Sequence, residues 1–208
     1  MQSNQFPTFF QQAPKLVMYD GLAQFLGATP NGLLAYSYAD AVRLCGHSCP
    51  TVAGAYLMTI KGLAALYDND IPERGKIDVV IAGERDSGTA GVVASVATLL
   101  TGAATELGFG GIGMQSLFGR RNLLTFSAEL PAALTLRRQD TGKTVAVHYQ
   151  PHIVPFPNDM RELMPKAVSG TATETELKRF GECWQERVEA ILVKEVNNPE
   201  LVFVEELN

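Results

Sequence analysis

One hexapeptide constrains the fold of this chain more than any other feature. Residues 45–50 read Cys-Gly-His-Ser-Cys-Pro, and apolar, helix-compatible sequence follows directly over 51–67. Pro50 suits the first turn of a helix, because the N–H that proline lacks would have no partner there. Ala and Gly recur along 51–67, so we expect a helix buried at the centre of the fold, with Cys49 at its positive end.

The hexapeptide also concentrates residue types that bind metals. Cys45, His47 and Cys49 account for two of the three cysteines and one of the three histidines. Thiolate and imidazole are the donors that zinc and other borderline-soft ions select, and Gly46 permits the tight turn that would face all three toward one ion. The spacing C-x-H-x-C differs from the C-x₂-C of zinc ribbons. The alternative interpretation is two small buried cysteines beside a histidine that caps the helix.

The remaining pattern predicts a mixed set of helices and strands. Strands and helices do not alternate as regular βαβ units, so the sequence favours an α+β fold. In it, a mixed or antiparallel sheet packs against the buried central helix and further helices. We expect one domain over 1–208, with the polar segment 1–14 as an extended arm. The predicted strands cover 76–82, 122–130, 134–138, 144–149 and 201–204, and the predicted helices cover 15–26, 38–44, 51–67, 89–100 and 173–194.

Composition excludes several classes of function. The net charge is −5, with Lys and Arg scattered along the chain, so we expect no nucleic-acid partner. The longest apolar runs are too short or too interrupted to span a bilayer, and the start shows no targeting pattern, so we expect no membrane partner. Three cysteines cannot form a disulfide framework, and free thiols fit a cytoplasmic protein.

Three further residues could bind the metal ion as an additional ligand, or could form a hydrogen bond to a residue that binds it. Glu84 follows a predicted strand, where its carboxylate could bind the ion, orient a ligand or act as a base. His148 and His152 lie four residues apart, and either imidazole could complete a shell begun by the hexapeptide. For each histidine alone, a hydrogen bond to backbone is the competing interpretation. Cys183, beside Trp184 on a predicted amphipathic helix, is expected to be structural.

The glycine-rich segment 102–119 is a weak phosphate-binding signal. It contains Gly-Phe-Gly-Gly-Ile-Gly from residue 108, which matches G-x-G-x-x-G by letter. The segment follows a predicted helix rather than a strand, so the context of a dinucleotide fingerprint is missing. We expect a tight connection packed near the hexapeptide.

The stretch 44–56 resembles the FmdE-like family, which takes its name from formylmethanofuran dehydrogenase. That family carries a His-Gly-His-x-Cys-Pro-Gly segment leading into a glycine-containing helix. The residues of this chain that fit the pattern are Gly46, His47, Cys49, Pro50, Gly54 and Tyr56. A looser likeness in the order of elements extends over about 37–130. The resemblance implies an α+β protein, often a homodimer, that binds a metal through its His/Cys segment.

Three departures from the family pattern indicate a divergent member. Cys45 stands where the family usually has its first histidine, which makes the donor set softer. Ala103 stands where a cysteine commonly follows Thr-Gly. Only Cys183 lies in the C-terminal part, so the zinc finger with four cysteines that some members carry is absent.

Together these features predict a metal-binding protein with zinc as the default ion and Cys45, His47 and Cys49 as its ligands. If only these three residues bind, one position stays open for water or a small-molecule ligand. One alternative is therefore a metal-dependent hydrolase or lyase with Glu84 near the metal-bound water. Another is a module for haem or a similar cofactor, with Cys or His as the axial ligand. The sequence identifies no catalytic residue and does not decide whether the protein is an enzyme.

Overall fold

The fold, in a computed structural model, is described for residues 6–68, 70–127, 129 and 132–207. Its helices and strands follow one another in a mixed order along the chain. The strands are β1 (Leu16–Tyr19), β2 (Leu33–Tyr36), β3 (Ile77–Ala82), β4 (Leu124–Ser127), β5 (Leu134–Arg138), β6 (Thr144–Tyr149) and β7 (Val202–Leu207). The α-helices are α1 (Gly21–Phe25), α2 (Tyr38–Cys45), α3 (Pro50–Tyr67), α4 (Ala90–Thr101), α5 (Met160–Ser169) and α6 (Glu174–Glu189). Short 3₁₀ helices cover Thr8–Gln11 and Pro151–Ile153, and a π-helical turn, Ala190–Lys194, follows α6.

The central sheet has five strands in the order β4-β3-β5-β6-β7. β3 and β4 run parallel, with Val79 opposite Leu124, and the other neighbours run antiparallel, as where Leu134 lies opposite Val147. β1 and β2 form a separate antiparallel pair. The α+β fold class and the mixed sheet predicted from the sequence are therefore confirmed.

Helix α3 is the buried central helix that the sequence predicted. It packs against β5, β6 and β7 and lies beside α4, which covers β3. Two glycines let α3 come close to the sheet, because a Cβ atom added at Gly54 would overlap the Tyr149 ring. One added at Gly62 would lie 2.6 Å from Cδ1 of Leu136. The small residues thus serve close packing.

A buried ion pair network ties together the segments around α1. Asp20 accepts a 2.8 Å hydrogen bond from Arg74 and another of 2.8 Å from Arg120, and it also caps α1 by accepting from the backbone N–H of Leu22. Arg74 in turn donates to the carbonyl of Leu100 near the end of α4. Burial alone would raise the pKa of Asp20, but the hydrogen bond from Arg74 and the charge of Arg120 outweigh it and lower that pKa.

The N-terminal segment differs from the extended arm expected over 1–14. Residues 1–5 lie outside the described part of the chain, and within 6–14 a 3₁₀ helix places Phe9 and Phe10 in the core. The Phe10 ring meets Tyr38 edge to face, with centroids 4.8 Å apart. Burial of two aromatic side chains, each a large hydrophobic contribution, outweighs the polar composition on which the expectation was based.

The C-terminal helices α5 and α6 form a hairpin with a small core of its own. Cys183 is fully buried there between Met160 and Leu163, and Phe156 packs against the Trp184 ring. This agrees with the structural role expected for Cys183. No helix among the described residues is both long and apolar enough to cross a membrane.

Replacing Gly54 with Ala tests whether the approach of α3 to the sheet holds the fold together. The added methyl group meets the Tyr149 ring, so we expect a loss of about 1–3 kcal/mol in the free energy of unfolding, measured by urea titration. Gly91 on α4 has open space around its Cβ position. The control Gly91→Ala should therefore be neutral or stabilise by up to about 1 kcal/mol. Equal effects of the two substitutions would contradict this account.

Candidate metal centre

The hexapeptide forms the connection between α2 and α3. Cys45 is the last residue of α2, and Gly46 ends that helix in the left-handed conformation, at φ 76°, with its N–H donating to the carbonyl of Val42. His47 and Ser48 cross to α3, and Cys49 is the residue that caps the start of α3. The segment thus brings Cys45, at the end of one helix, toward Cys49 at the start of the next.

The three candidate ligands differ in burial and in hydrogen bonding. Cys49 is buried, and its Sγ accepts from the backbone N–H of Val52 at 3.4 Å. Cys45 is half-buried, and His47 is exposed. Nδ1 of His47 lies 2.9 Å from the carbonyl oxygen of Cys45. Since a carbonyl only accepts, Nδ1 carries the proton in this hydrogen bond, and in the neutral imidazole the lone pair is then on Nε2.

The two thiols are close enough to affect each other. Burial raises the pKa of Cys45, and the nearby charge of Cys49 raises it further. Burial also raises the pKa of the Tyr38 phenol far above its usual range, and the charges of Cys49 and Cys45 add to this shift. Cys45, Cys49 and Tyr38 therefore belong to one cluster, in which a cation would relieve the mutual repulsion of the thiolates.

A side chain from α6 holds the connection in place. Ser48 Oγ donates to Oε1 of Gln185 at 2.9 Å, while Nε2 of Gln185 donates to the carbonyl of Ser48 at 3.2 Å. The Tyr38 hydroxyl lies 3.0 Å from Ser48 Oγ. Because Ser48 gives its only proton to Gln185, Tyr38 must be the donor to Ser48. The hydrogen-bond chain runs from Tyr38 through Ser48 to Gln185.

Tyr149 positions the start of α3 from the sheet side. Its hydroxyl donates to the carbonyl of Pro50 at 2.9 Å, and its ring lies against Gly54. Sequence reasoning missed both Tyr149 and Gln185. The glycine in the buried helix was a signal for a close neighbour, whereas nothing in the pattern of α6 marked Gln185.

The structure does not bring the three additional candidates to the cluster. Glu84 is exposed beyond the end of β3. His148 stacks on Phe203, with ring centroids 4.2 Å apart, and lies on the face of β6 opposite Tyr149, because neighbouring residues of a strand point to opposite faces. His152 is exposed in the 3₁₀ turn after β6. Within the ranges that the structure describes, no group of three or more His, Cys, Asp and Glu side chains is arranged to hold a metal ion.

An apolar groove lies between the end of α2 and α4. Its volume is about 400 Å³, and Leu44, which precedes Cys45, forms one wall. α4 and the start of the glycine-rich segment form the others, with Leu107 and Phe126 at the surface. Grooves of this size with a mainly apolar lining are typical of small-molecule sites.

The family model for FmdE, described as "Molybdenum formylmethanofuran dehydrogenase operon", matches residues 44–200. The chain belongs to the FmdE family. The resemblance found in the sequence is confirmed, and the family region extends beyond the 37–130 that it covered, through α5 and α6. No curated protein matches this FmdE chain.

Replacing Gln185 with Met tests the connection between the C-terminal hairpin and the hexapeptide. Met keeps the approximate size of the side chain but removes both hydrogen bonds between Gln185 and Ser48, so we expect a loss of about 1–3 kcal/mol in the free energy of unfolding. We also expect faster reaction of the Cys45 thiol with a disulfide reagent, since the connection is less well held.

The matched control is Gln139→Met, because Gln139 makes only an exposed contact with Asp78. It should change stability by less than about 0.5 kcal/mol and leave thiol reactivity unaltered. Identical thiol reactivity in the wild type and the Gln185 variant would contradict a positioning role for Gln185.

Proposed function

We propose that this FmdE-family protein binds zinc through the thiolates of Cys45 and Cys49 and through Nε2 of His47. The observation that carries the proposal is the placement of Cys45 at the end of α2 and of Cys49 at the start of α3, with His47 in the short connection between them. Thiolate and imidazole are the donors that zinc prefers.

The hydrogen bond of His47 supports its part in this donor set. A histidine that binds a metal through one ring nitrogen usually donates its other N–H to a carbonyl or carboxylate, which fixes the ring and its tautomer. The contact between Nδ1 of His47 and the carbonyl of Cys45 has this form.

The start of α3 supports the anionic form of Cys49. Backbone N–H groups at the first turn of a helix and the helix dipole favour negative charge. Cys49 already accepts from the N–H of Val52. Because the described residues contain no preformed group of three ligands, binding requires Cys45 and His47 to turn toward Cys49. Their side chains are the less buried ones, and Gly46 lies between them.

With three protein ligands, one position on the ion would be left for water or a small-molecule ligand, which the ion would polarise. The apolar groove lined by Leu44, the residue before Cys45, would take the carbon skeleton of such a ligand. Gln185 and Ser48 hold the connection between α2 and α3, and the buried Tyr38 phenol stays protonated as the donor to Ser48.

Two further parts of the proposal follow from the family and from the cysteines. Family members are often homodimers, and we propose the same for this chain. Cys45, Cys49 and Cys183 are free thiols, which supports a reducing compartment such as the cytoplasm.

Elemental analysis of the purified protein tests the zinc proposal. After incubation with zinc and removal of the excess, the wild type should retain about one zinc per chain, as expected for a tight thiolate site. Cys49→Ser removes a thiolate and should lower the zinc content several-fold.

The control is Cys183→Ala, since Cys183 lies in the separate core of the α5–α6 hairpin. It should retain zinc as the wild type does. The same zinc content in the wild type and in the Cys49 variant would exclude the proposed ligands.

A further inference from the structure

A cavity of about 590 Å³ lies at the end of α3 that is remote from the hexapeptide. Its walls come from the end of β1, from the connection between α3 and β3, and from the turn between β5 and β6. Tyr67, the last of the 18 residues of α3, is part of the lining. Because a helix rises 1.5 Å per residue, the cavity is roughly 27 Å from Cys49. It is therefore separate from the candidate metal centre.

Arg138 is a cation held in a fixed position in this lining. Tyr67 is buried, and the guanidinium carbon of Arg138 lies over its ring, 4.1 Å from the centroid. Asp140 accepts from Nε of Arg138 at 2.7 Å and from Nη2 at 2.8 Å. Within the part of the chain that the structure describes, Nη1 has no acceptor. One donor group of a preorganised guanidinium is thus left for a ligand.

Backbone hydrogen bonds fix the segments that carry the other charged groups of the lining. The N–H of Gln139 donates to the carbonyl of Lys76 at 3.0 Å, which places Lys76 beside the end of β5 that carries Arg138. On the other wall, Glu73 forms a β-bridge with Tyr19. Charges of opposite sign therefore come from different, well-ordered segments.

Three charged groups of the lining are open to a ligand. Arg138 and Asp140 neutralise each other, whereas Lys76, Asp70 and Glu73 have no ion-pair partner among the described residues. The cavity thus offers two carboxylates to an ammonium group. It offers Nζ of Lys76 and Nη1 of Arg138 to a carboxylate.

We propose that this cavity binds a small zwitterion, namely a free α-amino acid with a large apolar side chain. The carboxylate of the ligand accepts from Lys76 and from Nη1 of Arg138, and hydrogen bonds between charged groups are the stronger kind. The ammonium group of the ligand donates to the carboxylates of Glu73 and Asp70. This proposal goes beyond the proposed zinc site and does not depend on it.

The rest of the lining supports this class of ligand. Tyr19 and Ile71, the latter 51% exposed, provide apolar surface for the side chain of an amino acid. The volume lies in the range of small-molecule sites, about 300–1,000 Å³. A simple anion would be repelled by the carboxylates, and a simple amine would leave the cations unpaired. A metal ion is disfavoured, because no described group of three His, Cys, Asp or Glu side chains could hold one.

Two-dimensional NMR titration of the protein with L-leucine and L-phenylalanine tests the proposal. Both should shift the amide signals of residues 67–76 and 138–140, with saturation. N-acetyl-L-leucine lacks the ammonium group and L-leucinamide lacks the carboxylate, so each should bind at least about tenfold more weakly than L-leucine. No shift of these signals with either amino acid, or equal binding of the two derivatives, would overturn the proposal.

Glu73→Gln and Lys76→Gln each remove one charge from the lining and should weaken binding of L-leucine at least about tenfold. Glu200→Gln and Lys178→Gln make the same changes at exposed positions outside the lining and should bind as the wild type does. All four variants should keep the wild-type zinc content, so a failure of this proposal is distinguishable from a failure of the zinc site. Wild-type affinity in a folded Glu73 or Lys76 variant would contradict the assignment.

Discussion

The close packing of α3 on the sheet determines where the candidate metal centre lies. Gly54 leaves room for the Tyr149 ring, and the hydroxyl of Tyr149 binds the carbonyl of Pro50 in the first turn. The same helix and the same strand thereby fix the position at which Cys49 caps α3. A methyl group added at Gly54 would move the first turn of α3. The Cys49 thiol, whose anionic form the helix dipole stabilises, would move with it.

The C-terminal hairpin belongs to the site although it is remote in sequence. Gln185 reaches Ser48 across 137 residues of sequence and makes two hydrogen bonds to it. The family region, which continues to residue 200, includes both partners of this contact. The less constrained part of the cluster is the half-buried thiol of Cys45 together with the exposed ring of His47. A bound cation would supply the counter-charge for the thiolates.

The sequence predicted those parts of the fold that local pattern determines, such as α3, α4 and the strand pair β5–β6. It was wrong over 15–26, where a helix was expected but β1 pairs with β2 and Asp20 begins a short helix. The structure of that region depends on the pairing of β1 with β2 and on the buried ion pairs of Asp20. The periodicity of apolar residues in the sequence shows neither of them. Helix α5 was missed because it contains Pro165. His148 was considered as a ligand, but its position next to Tyr149 places it on the other face of β6.

X-ray absorption at the zinc edge, on the zinc-loaded wild-type protein, tests the central claim most directly. If Cys45, His47 and Cys49 bind one ion, the spectrum should show two sulfur neighbours at about 2.3 Å and nitrogen or oxygen neighbours at about 2.0–2.1 Å. A shell of nitrogen and oxygen alone, or a single sulfur, would contradict the claim that the ends of α2 and α3 converge on a metal.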